Sequence, residues 1–595
     1  MASALSDARV ISFDLETTGL NPLDSRILLL QIGIPFKQFI LSPKADVERI
    51  FPFLTSRSVE VIIHNAKFEQ KFMQYCYGVH INSVFDTMLA EQVLYSEKYA
   101  RSLEYITKKY LGRDLNKKVR ESFFDMKPIS MFTTEQLNYA AEDVEVLFGI
   151  YEQQVEALVD KDLFNIAQIE FDAVGVVAAM ELEGIPLNTA LWRDKVQTYK
   201  VREKEVRENL FSLILDNSPL PEQTGMFERD GVVPSKTKSK KVVSVIDSPD
   251  QVGKALTALG IELPTTEKGN LATDERTLSK IDHPAAKLLL EYRSIEKVID
   301  SYGESFLSKI HPFTGRIHPD FQQLGAETGR FSCRVPNVQQ IPEEFREFIG
   351  YVDDYKIVGA DYSQMELRII AELSQDPALI KAFSTGDDPH ASTAAIMFNI
   401  PIETVTKEQR HVAKTINFGL SYGMQADKLR DTINAEREKK LTINEVYKLD
   451  KQYRETYRGV IRWFEEAGSL AYHRGYSLTL GGRKRFFNRP SMVDSETLSK
   501  QIAAIRRQGG NAPIQGSNAD ITKLAMINLY SDLQQYGFRA KIINVVHDEI
   551  VLLAHKRHAE AVKEVVAESM LRSAQQYIKS VPVKVDAYVS DIWKK

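Results

Sequence analysis

Cysteine is nearly missing from this sequence. Its 595 residues include two, Cys76 and Cys333, far apart in the chain. So few exclude a disulfide framework and a cysteine-held zinc site, and a reducing cell interior fits best. Long apolar runs are lacking too, so no segment is expected to cross a bilayer. The opening residues MASALSDARV lack the basic segment and apolar core of a secretory signal. There is no repeat and no low-complexity block. Strong charge of either sign is also absent. The net charge of −5 argues weakly against a nucleic-acid binder, which is often basic overall. Yet 76 Lys and Arg are enough to cluster, and PSKTKSKK (234–241) and GGRKRFFNR (481–489) are local basic runs. Taken alone, each run reads more readily as solvated surface.

What is present is an ordinary globular balance, 43% hydrophobic and 26% charged, over a length that calls for several domains. The first stretch, to about residue 155, alternates strand and helix patterns. RVISFDLE, RILLLQIGI and KQFIL read as strands, and VEVIIHNAKFEQKFM as a strand leading into a helix. TTEQLNYAAEDVEVLFGIYEQQVEALV reads as a long amphipathic helix with a Thr cap. A charged helical pattern follows over about 165–215, then a Pro-, Gly- and Lys-containing tip at 217–250. Helices are expected at 249–260 and 284–310, a strand-rich stretch after them, and mostly helix over 363–480. A helix at 512–536, a hairpin, a helix at 557–579 and a strand in VPVKVDAYV close the chain.

Two constellations carry chemistry. In SFDLETTG, Asp14 and Glu16 alternate on a strand and so share a face. Tyr139 and Asp143, four apart on a helix, also share one. Glu69 closes HNAKFE between them. Carboxylates with a tyrosine suit two-metal phosphodiester hydrolysis: the acids hold the ions, and the phenol orients the attacking water. A lone D-x-E is more often a surface pair; the ordered set is far more specific. Asp86 in FDTMLAEQ is better explained as a helix cap. In the second half, NVVHDEIVLL sets Asp548 and Glu549 at the turn of an apolar hairpin, where a buried charge is costly unless paired or metal-bound. Asp361 ends the strand of YKIVGADYSQMELR, and Asp361 and Asp548 are expected to clamp two Mg²⁺ ions. In RHVAKTINFGLSYG, Arg410, Lys414, Phe418 and Tyr422 recur every four residues along one side of a helix, two cations and then aromatics. That order suits a nucleoside triphosphate, with charge on the phosphates and a ring against the base or sugar.

These motifs resemble known families. The N-terminal set is similar to the proofreading 3′–5′ exonuclease domain with a ribonuclease H-like fold. TGRFSCRVPNVQQIP (328–342), DYSQMELR (361–368), RHVAKTINFGLSYG (410–423), RRQGGNAPIQGSNAD (506–520) and VHDE (546–549) resemble, in order, the motifs of family A DNA polymerases of the bacterial DNA polymerase I type. The resemblance implies an α/β and α+β multidomain fold, with an exonuclease domain over 1–155 and a right-hand polymerase over 156–595. Within the latter it implies a thumb near 190–305, a palm at 306–371 and 506–595, and fingers at 372–505. The implied activity is template-directed DNA synthesis from dNTPs on a primer, with proofreading of a single-stranded 3′ end, in replication or repair. The implied form is a cytoplasmic monomer with two Mg²⁺ per active site, Mn²⁺ substituting. An organelle is compatible if a targeting segment has been removed.

The same resemblance implies roles. Asp361 and Asp548 are metal ligands, with Glu549 an auxiliary acid; Asp14, Glu16 and Asp143 are the exonuclease ligands, assisted by Glu69 and Tyr139. Arg410 and Lys414 bind phosphates, and Lys414 protonates the leaving pyrophosphate. Phe418 stacks on the nucleotide and, being Phe rather than Tyr, disfavours nucleotides without a 3′-OH. Glu366 is a steric gate against a 2′-OH, Tyr422 borders the templating base and His390 contacts phosphate. Arg330, Asn337, Gln339, Arg368, Arg507, Asn511, Gln515 and His547 contact primer–template DNA. The chain departs from the family at Glu69, where Asp is usual, at Cys333 (Ser) and Gln340 (Asn), and in an extra Gly within TLGGRKR. A nuclease whose C-terminal half only binds nucleic acid, and a single-subunit RNA polymerase, are the competing readings.

Overall fold

In the computed structural model the described residues are 2–44, 47–95, 101–115, 117–124, 131–217, 232–233, 243–244, 246, 248–266, 268–386, 388–421, 423–435, 437, 440–490 and 494–594. The expected N-terminal strands form a five-stranded sheet in the order Lys37–Leu41, Ile27–Ile34, Val10–Thr17, Glu60–Ile63, Val84–Asp86. The first three are antiparallel; Val10–Thr17, Glu60–Ile63 and Val84–Asp86 are parallel. Phe13, Ile32, Val61, Phe72 and Phe85 fill the core between sheet and helices. The helix Thr134–Asp160 starts at Thr133, whose hydroxyl accepts from the Gln136 N–H while the Gln136 side chain accepts from the Thr133 N–H. That reciprocal cap fixes the helix start, and hence where Tyr139 and Asp143 fall.

The C-terminal sheet is antiparallel throughout, in the order Ala540–Val546, Glu549–His555, Tyr355–Tyr362, Val585–Ser590. In its central strands residues 357–360 and 550–554 are buried, which explains the apolar runs IVGA and IVLLA. Helix Ala559–Ala574 packs on it, and the Tyr362 hydroxyl donates to the Met570 carbonyl at 2.7 Å. Residues His547 and Asp548 make the hairpin turn, with His547 at φ 56°.

Two elements differ from the sequence reading. The helix expected over 512–536 runs from Ser495 to Gln535 and carries Pro513 inside it. Gly509 and Gly510 lie inside it and serve close packing: a Cβ on Gly509 would lie 2.2 Å from the Ala471 Cβ, and one on Gly510 2.8 Å from Phe464. The first helix of the charged 165–215 stretch, Phe164–Glu183, is mostly buried, with Glu170 and Glu181 inside.

The chain divides into two compact units. One comprises Met1–Ile185, His318–Ile341 and Gly350–Lys595, the other Pro186–Ile317 with Pro342–Ile349. In the second, helices Thr189–Asn217 and Pro284–Tyr302 share a core of Val206, Leu210, Leu289 and Tyr292. Trp192 stacks on Phe306 there at 4.8 Å. The basic run 234–241 lies outside the described residues.

Candidate active sites

Strand alternation turns Asp14 and Glu16 to one face, and helix spacing brings Asp143 against them. One oxygen from each of the three lies within 4.8 Å of the others. Like charges this close repel unless a cation or protons intervene. Tyr139, one turn before Asp143, lines the same cavity of about 810 Å³. Burial first, then Asp143 and Glu16, holds its phenol protonated far above the ordinary range, so it is a hydrogen-bond donor. Glu69 lines the cavity from the first turn of helix Lys67–Tyr77 and is 2% exposed. Burial, reinforced by Asp14, pushes its carboxyl well above the usual carboxylate range.

Asp86 serves as the expected cap and more. It accepts from the N–H groups of Met88 and Leu89, which start the helix Thr87–Tyr95, at 2.8 and 3.2 Å. It also accepts from Asn65 and Ala66 at 3.1 and 2.8 Å, fixing the turn that delivers Glu69. Burial raises its carboxyl to about 6 although these four donors pull the other way.

Sequence reasoning missed the far wall of this cavity. The Lys67 ammonium donates to Glu181 and Asp320, both at 2.7 Å, and Lys71 donates to Glu181 at 2.9 Å. Asp320 in turn accepts from Arg334 at 2.7 Å. Lys67 lay within a motif already singled out; Glu181, near the end of an apolar helix, gave no signal.

The second site is a cleft of about 490 Å³. Asp361 stands opposite Glu549 in the antiparallel register, so Asp548 is one residue from its cross-strand neighbour. Asp361, Asp548 and His547 line one side. Helix Lys407–Ser421 brings Arg410, Lys414 and Phe418, four residues apart along one side, into the same cleft. Tyr422 lies outside the described residues. Glu366 lines the cleft from helix Met365–Ser374, and the Arg330 guanidinium donates to it. The Arg410 guanidinium donates to Asp388, which also accepts from Gln364 at 3.0 Å. Asp388 escaped the sequence reading, although as a helix cap before Pro389 it carried a signal. His390, 2% exposed, lies 5.7 Å from the Phe418 ring and contacts Asn417 at 3.0 Å. Burial drives its imidazole down to about 4; Asp388 opposes this, and Arg410 and Lys414 add to it.

The remaining expected residues do not line the cleft itself. Arg507, Asn511 and Gln515 are accessible at every fourth position, while Gly509, Gly510 and Ala512–Ile514 are buried, and buried Asn518 continues the row into the cleft. Gln339 donates to the Val545 carbonyl at 3.0 Å, and Asn337 accepts from the Gln339 N–H at 3.1 Å. Arg368 turns inward: it is 6% exposed, donates to the carbonyls of Ser363 and Pro582, and lies over the Phe383 ring. Glu549 is 1% exposed and accepts from the Trp593 indole at 2.8 Å. Both support the cleft from behind rather than line it.

Comparison with known proteins identifies the family. The sequence profile of DNA polymerase family A matches residues 235–595, and that of a 3′-5′ exonuclease matches 1–158. DNA polymerase I of Aquifex aeolicus is 30% identical over 615 residues, covering 99% of this chain and 97% of that protein. DNA polymerase I of Pseudomonas aeruginosa is 29% identical over 626 residues, 99% of this chain and 64% of that protein. The thermostable DNA polymerase I of Thermus aquaticus is 36% identical over 360 residues, 58% of this chain and 41% of that protein. The chain therefore spans nearly all of the first and under two thirds of the other two. A solved structure, the POL domain of Pol1 from M. smegmatis in complex with DNA primer-template and dNTP, superposes with a TM-score of 0.82. It covers 100% of this chain and 97% of that one at 24% identity, a likeness of fold. With a matching profile over more than half its length and a relative aligned end to end, this chain belongs to DNA polymerase family A and carries a 3′–5′ exonuclease domain.

Proposed function

We propose that the C-terminal cleft adds dNMP units to a primer 3′-OH opposite a template, and that the N-terminal cavity hydrolyses a single-stranded 3′ end. The convergence of Asp361 and the Asp548 turn with Arg410 and Lys414 carries this reading. Two acids and two cations line one cleft, a space that a primer end and a triphosphate would share. Divalent ions fit both sites by the chemistry of their donors: Asp361 with Asp548 in the cleft, and Asp14, Glu16 and Asp143 in the cavity. When bound, Mg²⁺ would supply the Lewis acidity that lowers the pKa of the attacking oxygen and steadies the leaving one.

The chain's own residues do the rest. Arg410 and Lys414 neutralise the triphosphate, and Lys414 gives a proton to the departing pyrophosphate. Asp388 holds the Arg410 guanidinium at the cleft until phosphates compete for it. Phe418, backed by neutral His390, stacks on the incoming base or sugar. Glu366, oriented by Arg330, fills the space a 2′-OH would need. The row Arg507, Asn511 and Gln515 tracks the duplex leading to Asn518. In the cavity, the Tyr139 phenol donates to the attacking water while Glu69 and Asp143 frame it. A frayed mispaired end reaches that cavity as a single strand.

Primer extension with dNTPs against NTPs, from matched and mismatched ends, tests the reading. Extension with dNTPs alone, and excision of the mismatch before extension, are expected. Degradation without any extension would leave a nuclease with a nucleic-acid-binding half, and preference for NTPs would make it an RNA polymerase.

A further inference from the structure

Lys523 is completely buried on helix Ser495–Gln535, far from solvent and outside both sites. An ammonium has three N–H donors. All three are used: on the Glu170 carboxylate at 2.5 Å, the Gln323 carbonyl at 2.8 Å and the Gly329 carbonyl at 2.7 Å. Its nitrogen also lies 5.1 Å from the Phe331 ring centroid. Gly329 and Phe331 flank Arg330, so this one cation binds the backbone just before the residue that pairs with Glu366 and touches the ring just after it. Glu170 also binds Arg483 at 2.6 Å, and Arg483 binds Asp520 at 2.7 Å. Gly329 has φ +85°, and a Cβ there would lie 2.7 Å from the Arg483 Nε, so only glycine fits beside this cluster.

A buried ion pair is weak evidence for stability, because apolar residues of similar size often serve as well. The charge here is costly: burial lowers the Lys523 ammonium to about 8, Glu170 opposing and Arg483 adding to the effect. Its geometry accounts for its presence better than its energy does. We infer that Lys523, anchored by Glu170, is a positioning residue for Arg330 and, through it, sets how Glu366 selects the sugar of the incoming nucleotide. The inference rests on the polymerase reading of the cleft.

Lys523→Met keeps the length of the side chain and removes its three donors. Single-nucleotide insertion of a deoxy- and a ribonucleotide is measured for this variant, for Arg330→Ala and for the double variant. A displacement of about 1 Å costs on the order of a hundredfold in rate. Lys523→Met alone should therefore lower dNTP insertion by about ten- to a hundredfold, lower the preference over the ribonucleotide, and leave single-strand degradation at the wild-type rate. In the Arg330→Ala background it should change insertion by less than about twofold, because residues that act through one another are not additive. Effects that multiply in the two backgrounds, or unchanged insertion in the single variant, would overturn the inference. If Lys523→Met also loses degradation and fails to fold, Glu170→Gln takes its place. It keeps both carbonyl contacts and should show a smaller loss of the same kind, again absent in the Arg330→Ala background; a loss that persists there counts against the inference. A wild-type protein that extends no primer would remove the polymerase reading itself, a separate outcome.

Discussion

His390 shows how one buried ring reports on its surroundings. Its pKa of about 4 lies below the ordinary 6.5, so the unfolded chain binds the proton more tightly. Stability contributed by the neutral ring is whole above about pH 6.5 and falls as pH drops toward about 4. Between pH 7 and pH 5 this one group should account for about 2 kcal/mol, at about 1.4 kcal/mol per pKa unit. His390→Gln should therefore lose less stability than wild type over that interval, read by chemical denaturation at both pH values; an equal loss would show that His390 does not titrate as described. Lys414→Ala, which removes a cation from the transferring phosphates, should lower single-nucleotide insertion by about a hundredfold or more while sparing single-strand degradation, read by pre-steady-state kinetics. At this scale the sequence was legible where a charge interrupted an apolar run, as at Asp361 and Asp548. It was silent at Lys523, because a lysine on a helix looks like surface until its partners, 353, 200 and 194 residues away, are brought together.

Elements depend on a few contacts that join one to the next. Asp86 ties the start of helix Thr87–Tyr95 to the turn before Glu69 through four N–H donors. Asp86→Asn would set an amide donor against one of those N–H groups. It should cost about 1–3 kcal/mol of stability and slow exonuclease turnover more than it weakens DNA binding, as steady-state kinetics would show. Gly509→Val forces side-chain atoms into Ala471 and should destabilise by about 1–3 kcal/mol, measured as a lowered melting temperature. The strands and the capped helix of the N-terminal sheet were readable because alternation and a Thr-to-Gln cap are local signals. The helix Ser495–Gln535 begins well before the expected 512 and runs through Gly509, Gly510 and Pro513, residues that weaken a helix locally. Their place here is decided by helix Arg458–Arg474, which needs the missing Cβ atoms to come close.

At the scale of the whole molecule, the N-terminal cavity and the C-terminal cleft belong to one compact unit yet share no lining residue. The hairpin Asp320–Gln322 with Ser332–Arg334 contributes Asp320, Gln322 and Arg334 to the cavity, while Arg330 in its connecting segment lines the cleft. Chelation of divalent ions should stop both reactions, and added Mg²⁺ should restore both. Side-chain loss should not act so broadly, since each acid cluster serves its own site. The most direct test measures primer extension and single-strand degradation side by side in Asp548→Asn and Asp143→Asn. The account predicts that Asp548→Asn abolishes extension and still degrades a single strand, while Asp143→Asn does the reverse. Loss of both activities in either folded variant would contradict it.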